Sequence, residues 1–157
     1  MGNYYHLYIL ACTEINAYQR IAGEAIFEIG RRLHSVKYNP HEYGLPAGTD
    51  KEGRAIVARG AWGEWLVKME FETTAAHRFM KIYEELNEDK IATLQNKPFI
   101  ALYEIATLPE SVREQPHTLK NGETKTPDEM TVRELREVKK ASTVASTFRI
   151  KTHKYSL

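Results

Sequence analysis

Ala61-Trp62-Gly63-Glu64-Trp65-Leu66-Val67-Lys68-Met69-Glu70-Phe71-Glu72-Thr73-Thr74-Ala75-Ala76-His77-Arg78-Phe79-Met80-Lys81 reads as two short helices joined by a tight turn, the second with a polar face. In a helix-turn-helix template laid from Trp62, apolar side chains are wanted at the fourth, eighth, tenth, fifteenth and eighteenth places. Those places are Trp65, Met69, Phe71, Ala76 and Phe79, and all five are expected to hold the two helices together. Two preferences fail: Leu66 stands where a small residue is wanted, and Glu70 where the turn usually has glycine. A helix-turn-helix would put Thr73, Thr74, His77, Arg78 and Lys81 where base edges or phosphates are touched. Arg54 to Leu86 holds five basic and five acidic residues, so Glu70 and Glu72 would repel phosphates unless paired.

Before this stretch, Ile15, Tyr18, Ala22, Ala25, Ile26, Ile29, Leu33 and Val36 fall at steps of three or four, predicting one long helix from about Leu10 to Lys37. The stripe fits a core helix, and it fits equally a seam with a second copy of the chain. Gly23 and Gly30 interrupt the helix interior, each costing up to about 1 kcal/mol against alanine, which close approach by another helix would explain. The apolar residues ahead of it, Tyr4 to Leu10, read as a docking strand or a first helical turn. They lack the basic leader and cleavage site of a secretory signal, and His6 stands where a myristoylation motif needs Ser or Thr.

Tyr38 to Gly60 is punctuated by Pro40, Gly44, Pro46, Gly48 and Gly53. Asp50-Lys51-Glu52-Gly53 is a turn signal and Ala55-Ile56-Val57-Ala58 a short β-like run, so a small β-hairpin can sit within the 38–60 loop. Past the motif, the second helix continues to Leu86 and stops in Asn87-Glu88-Asp89-Lys90. Pro98 opens another helix with Phe99, Leu102, Tyr103, Ile105 and Ala106 as its apolar set, and Pro109 ends it. Ser111 to Gln115 adds a turn of helix, and Asn121-Gly122 is a loop signal. Thr126-Pro127-Asp128-Glu129, then Thr131 and Glu134, have the capping-box spacing ahead of a last helix carrying Val132, Leu135 and Val138. Thr147-Phe148-Arg149-Ile150-Lys151 alternates like a strand. The fold class is mainly α: a single helical domain over 1–141, its helix-turn-helix at 62–86, and a basic tail over 142–157.

At 157 residues the chain is long enough to bury a core unaided. Its net charge of +1 excludes a polybasic nucleic-acid coat, so any DNA contact must come from a local patch. From Arg133 to Leu157, seven Lys or Arg against two acids make such a patch, with Lys139 and Lys140 its foremost candidates; it also fits a solubilising tail. Cys12 is the lone cysteine, which excludes an intrachain disulfide and fits a reducing, cytoplasmic location. No apolar run approaches the roughly 18 residues of a membrane span, so no membrane partner is expected. The six histidines are scattered without ligand spacing, and no phosphate-binding glycine loop or hydrolase elbow occurs. No metal, cofactor or catalytic residue is therefore expected; the acids Glu84, Glu85, Glu88 and Asp89 read as a solvated helix end, and nothing proposes an enzyme.

Several blocks occurring in order resemble an uncharacterised domain family of Gram-positive phages and plasmids, one with a helix-turn-helix-like core. They are Glu14–Tyr18, Ala25–Leu33, Gly63–Leu66, Thr73–Tyr83, Ala101–Pro109 and Met130–Val138. The resemblance covers roughly residues 12 to 141 and implies a regulatory or maintenance role on mobile DNA, with no established catalytic residues. The chain departs from the family in its long, glycine-rich 39–60 linker and in both ends. The expected function is DNA binding by a homodimer. The alternative is a non-enzymatic protein-binding module of a mobile element, such as an inhibitor of a host enzyme or defence system, with Trp62, Tyr43 and Phe71 as anchors.

Overall fold

The long helix predicted from the apolar stripe is α1, Gly2–Tyr38, in a computed structural model that describes residues 2–86, 88–94 and 96–153. Side chains are described from His6 to Ala145, apart from residues 87, 88, 91 and 95. The chain forms two compact units, Met1–Lys97 and Pro98–Leu157.

In the first unit, α1 ends where Asn39 turns its side-chain amide back to the Ser35 carbonyl at 2.9 Å and Pro40 follows. A hairpin then pairs β1 (Ala47–Thr49) antiparallel with β2 (Ala55–Val57), Gly48 opposite Ile56. Its turn is closed by the Asp50 carboxylate, which accepts from the amides of Glu52 and Arg54, and Gly53 supplies a φ of 78°. Val57 is buried and leads directly into α2 (Arg59–Lys68), followed by α3 (Thr73–Glu85) and the short α4 (Glu88–Leu94). The sequence marked residues 88–90 only as a polar stop; a helix forms there that buries Leu94. Asn87 lies outside the described residues.

The core joins Leu33 of α1, Leu66 of α2, and Ala76 and Met80 of α3, with Ile29, Trp62, Trp65, Phe71 and Phe79 packed around them. Gly30 lies against α3, where a Cβ would meet the Phe79 carbonyl and, at 2.9 Å, the Tyr83 Cβ. This is the close helix approach that an interior glycine in α1 suggested. Phe27 and Tyr83 extend the contact, ring centroids 5.0 Å apart.

The five-place apolar template needs one correction. Met69 is 57% exposed, whereas Leu66, at the place reserved for a small residue, is 1% exposed. Met69 is the C-cap of α2, already leaving the helix, so its side chain turns outward. The turn is left-handed at the place where the template has glycine. Glu70 adopts a φ of 52°; its amide bonds the Val67 carbonyl at 3.0 Å, and the Phe71 amide bonds that of Leu66 at 2.9 Å. That pair of bonds is a Schellman ending, with apolar Phe71 and Leu66 at the two positions that pack across it. A glutamate pays a Cβ penalty in this conformation that glycine does not. Glu70→Gly should therefore raise stability by about 1 kcal/mol in thermal or urea unfolding; a loss of stability would mean the turn is not left-handed.

The second unit starts with α5 (Phe99–Ala106) behind Pro98, burying Ala101, Leu102, Ile105 and Ala106, and α6 (Glu110–Arg113) behind Pro109. Two short strands, β3 (His117–Thr118) and β4 (Thr124–Lys125), pair around Gly122, whose φ is 85°. Of the two capping signals, Thr126/Glu129 closes a single 3-10 turn, Pro127–Glu129. The second starts the helix: Glu134 accepts from the Thr131 amide at 2.7 Å, ahead of α7 (Val132–His153). Leu135 and Val138 are buried, as the spacing predicts.

The alternating residues Thr147 to Lys151 are not a strand, because α7 runs through them to His153. Each residue added to an existing helix gains a hydrogen bond, whereas a lone strand here has no sheet to join. Ser142 and Thr143 remain compatible with the helix by bonding back to the Lys139 carbonyl at 2.8 and 2.9 Å. Lys154 lies outside the described residues.

Candidate nucleic-acid interface

The outer face of α3 is built from its first two turns. Glu72 is the N-cap, its carboxylate accepting from the Thr74 and Ala75 amides at 2.8 and 2.7 Å. The Thr74 amide above all, then the Thr74 side chain, the Ala75 amide and the nearby charge of Arg78, hold this carboxyl below its ordinary range. Glu72 is thus held ionised by neutral amides, so it keeps its negative charge at the start of the helix. It also fills the anion position that a bare helix N-terminus would offer.

Thr73, Thr74 and His77 are exposed on α3, with Thr73 and His77 each one turn before buried Ala76 and Met80. Arg78 is half-buried, and the Lys81 ammonium donates to Glu85 at 2.7 Å, one turn on. The polar face is consequently narrower in cationic character than the residue types suggest. Glu70, exposed at the turn, adds a negative charge beside it.

Lys139 and Lys140 belong to the second unit. The carboxylate of buried Glu104 on α5 accepts from Arg136 at 2.8 Å and from the Lys139 ammonium at 3.3 Å; Lys139 also donates to the Thr107 hydroxyl at 2.7 Å. Burial pushes the Glu104 carboxyl up, but Arg136 and Lys139 outweigh it and hold the group below its ordinary range. Lys139 therefore ties α7 to α5, whereas Lys140 is exposed. The aromatics expected as anchors divide in the same way: Tyr43 is exposed, with its hydroxyl 2.9 Å from that of Ser35, while Trp62 stacks on Trp65 and Phe71 meets Phe79 edge-on.

One cleft was not foreseen. His34, Tyr38, Arg54, Ala55 and Glu84 line an open cavity of about 510 Å³, with the His34 imidazole 3.7 Å from the Glu84 carboxylate. Burial, more than any neighbour, lowers the pKa of His34, with Glu84 opposing, so the ring is mainly neutral near pH 7. Arg54 lies over the Tyr38 ring but is bonded to Asp50 at 2.7 Å. Its members come from α1, the hairpin and α3, so no local spacing announces it. Among the described residues no group of three His, Cys, Asp or Glu is placed to hold a metal ion, and no helix is long and apolar enough to cross a membrane. No family model, curated protein or solved structure matches the chain.

Proposed function

We propose that the chain binds double-stranded DNA as a homodimer, presenting the N-terminal half of α3 to the major groove, in a regulatory or maintenance role on a bacterial mobile element. The observation that carries this reading is the α2–turn–α3 unit itself, with left-handed Glu70 at the turn and Thr73, Thr74 and His77 exposed on the first turns of α3. Recognition helices read base edges with these N-terminal residues. In this role Thr73 and Thr74 bond backbone oxygens, and His77 and Arg78 reach base edges or phosphates, each good base contact worth about 1–3 kcal/mol of discrimination.

The competing reading is a non-enzymatic protein-binding module, such as an inhibitor of a host enzyme or defence system. In its favour are the Glu72 cap and the Lys81–Glu85 pair, which leave α3 few uncommitted charges.

Binding to a pool of mixed duplexes, measured between about 50 and 200 mM salt, tests the proposal. Binding should fall steeply with salt, and Thr73→Glu/His77→Glu, which changes two exposed positions one turn apart, should weaken it roughly 30-fold or more without lowering the unfolding midpoint. An intact protein that binds no duplex at low salt would overturn the DNA reading and favour the protein-binding one.

A further inference from the structure

The first half of α1 carries an apolar stripe that the first unit does not use. On α1, Phe27, Gly30 and Leu33 pack on the first unit, and Ile29 is half-buried at the edge of its core. At 100° per residue, Ile15 and Tyr18 lie five full turns before buried Leu33 and Val36 and share their azimuths, so the same stripe continues along earlier turns of α1 that the first unit leaves uncovered. The apolar residues of those turns are exposed: Ile15 by 56%, Tyr18 by 70% and Ile21 by 59%. Ala11, Ile15, Tyr18, Ala22, Ala25 and Ile29 follow one another at alternating steps of four and three, the 3.5-residue period of a coiled-coil seam. Thr13 and Arg20 occupy the opposite side.

We infer that this stripe is the seam of an antiparallel coiled coil with a second copy of the chain, centred near Arg20. Two features select a second copy. The seam is self-complementary in size: under a two-fold at residue 20, Tyr18 faces Ala22 of the second copy, Ile15 faces its Ala25, and Ala11 faces the exposed part of its Ile29, whose other side borders the first-unit core. Each layer thus sets a large side chain against a small one, as knobs-into-holes packing needs. The flanks also tolerate it. The one approach of like charges, Glu14 toward Glu28 of the second copy, meets a Glu28 already bonded to Arg31 at 2.7 Å with Arg32 at 3.9 Å. The seam spans about 27 Å, and the two-fold brings two α3 helices into one particle, as a reader of paired half-sites requires.

The seam is tested on the full chain without DNA, so its outcome is separate from that of the DNA reading. Sedimentation equilibrium should give a dimer. Ile15→Glu/Tyr18→Glu should weaken association on the order of 100-fold, since it would bury unpaired charges in the seam. The near-ultraviolet circular dichroism of Trp62 and Trp65, which reports the α2–α3 core, should not change. Under mild oxidation, Ile21→Cys in a Cys12→Ser background should form a disulfide-linked dimer. Native Cys12 should not, being about 24 Å from its counterpart along the seam. A monomer, a double variant that still dimerises, or ready Cys12–Cys12 crosslinking from a parallel pair would each overturn the proposal.

Discussion

Gly30→Val is expected to unfold most of the first unit, at a cost of about 4 kcal/mol or more, comparable with the whole stability of a small domain. A Cβ at this position would stand 3.0 Å from the Phe79 carbonyl carbon and 2.9 Å from the Tyr83 Cβ, and closer still to the Phe79 carbonyl oxygen. Two of those three atoms are α3 backbone, which no side-chain rotation can move. The helices must separate, and Leu33, Ala76 and Met80 lose packing together. Gly30→Ala should cost about 2 kcal/mol even though alanine gains about 1 kcal/mol of helix propensity. Gly63, inside α2 with nothing within 4 Å of its would-be Cβ, is the control: Gly63→Ala should stabilise. Urea unfolding of the three variants checks the argument, and a neutral Gly30→Val would mean that α1 and α3 are not in backbone contact.

Leu66→Ala should cost about 3 kcal/mol, and Met69→Ala less than about 0.5 kcal/mol. Leu66 is enclosed by Leu33, Ala76 and Met80, so its removal leaves a cavity that three helices would have to close together. Met69 lies beyond the last helical residue of α2, more than half exposed. The helix-turn-helix template ranks them the other way, so unfolding midpoints of the two variants decide between the template's register and the one in the structure. A larger loss for Met69→Ala than for Leu66→Ala would favour the template.

Most of the architecture was legible because its signals are local. The 3.6-residue apolar period marks α1, α3, α5 and the start of α7, and proline or capping residues mark their limits. The hairpin was legible from Asp50–Gly53 followed by Ala55–Val57. The errors are local too. At 100° per residue, a template misjudging where α2 ends turns Met69 inward and leaves Leu66 out. In Thr147–Lys151 the alternation describes a strand only if a neighbouring strand exists, and α7 simply continues. The site was less legible than the fold. Residue types named Lys81 and Lys139 as cations, but not that Lys81 bonds Glu85 one turn on, nor that Lys139 bonds Glu104, 35 residues earlier.

The residue order alone determined that the chain is mainly helical and where most helices start and stop, and it offered close approach by another helix as an explanation for Gly23 and Gly30. These follow from periodicity, caps and the missing Cβ, which act within a few residues. Only the tertiary structure decided that α3 is the helix against Gly30, that Leu66 and not Met69 is the core residue, and that His34 and Glu84 share a cleft. It also showed that the stripe on α1 is covered over its later turns, at Phe27, Leu33 and Val36, and exposed over its earlier ones, at Ile15 and Tyr18. Such facts depend on which faces meet across distant segments, and a helical period specifies a face without specifying what covers it.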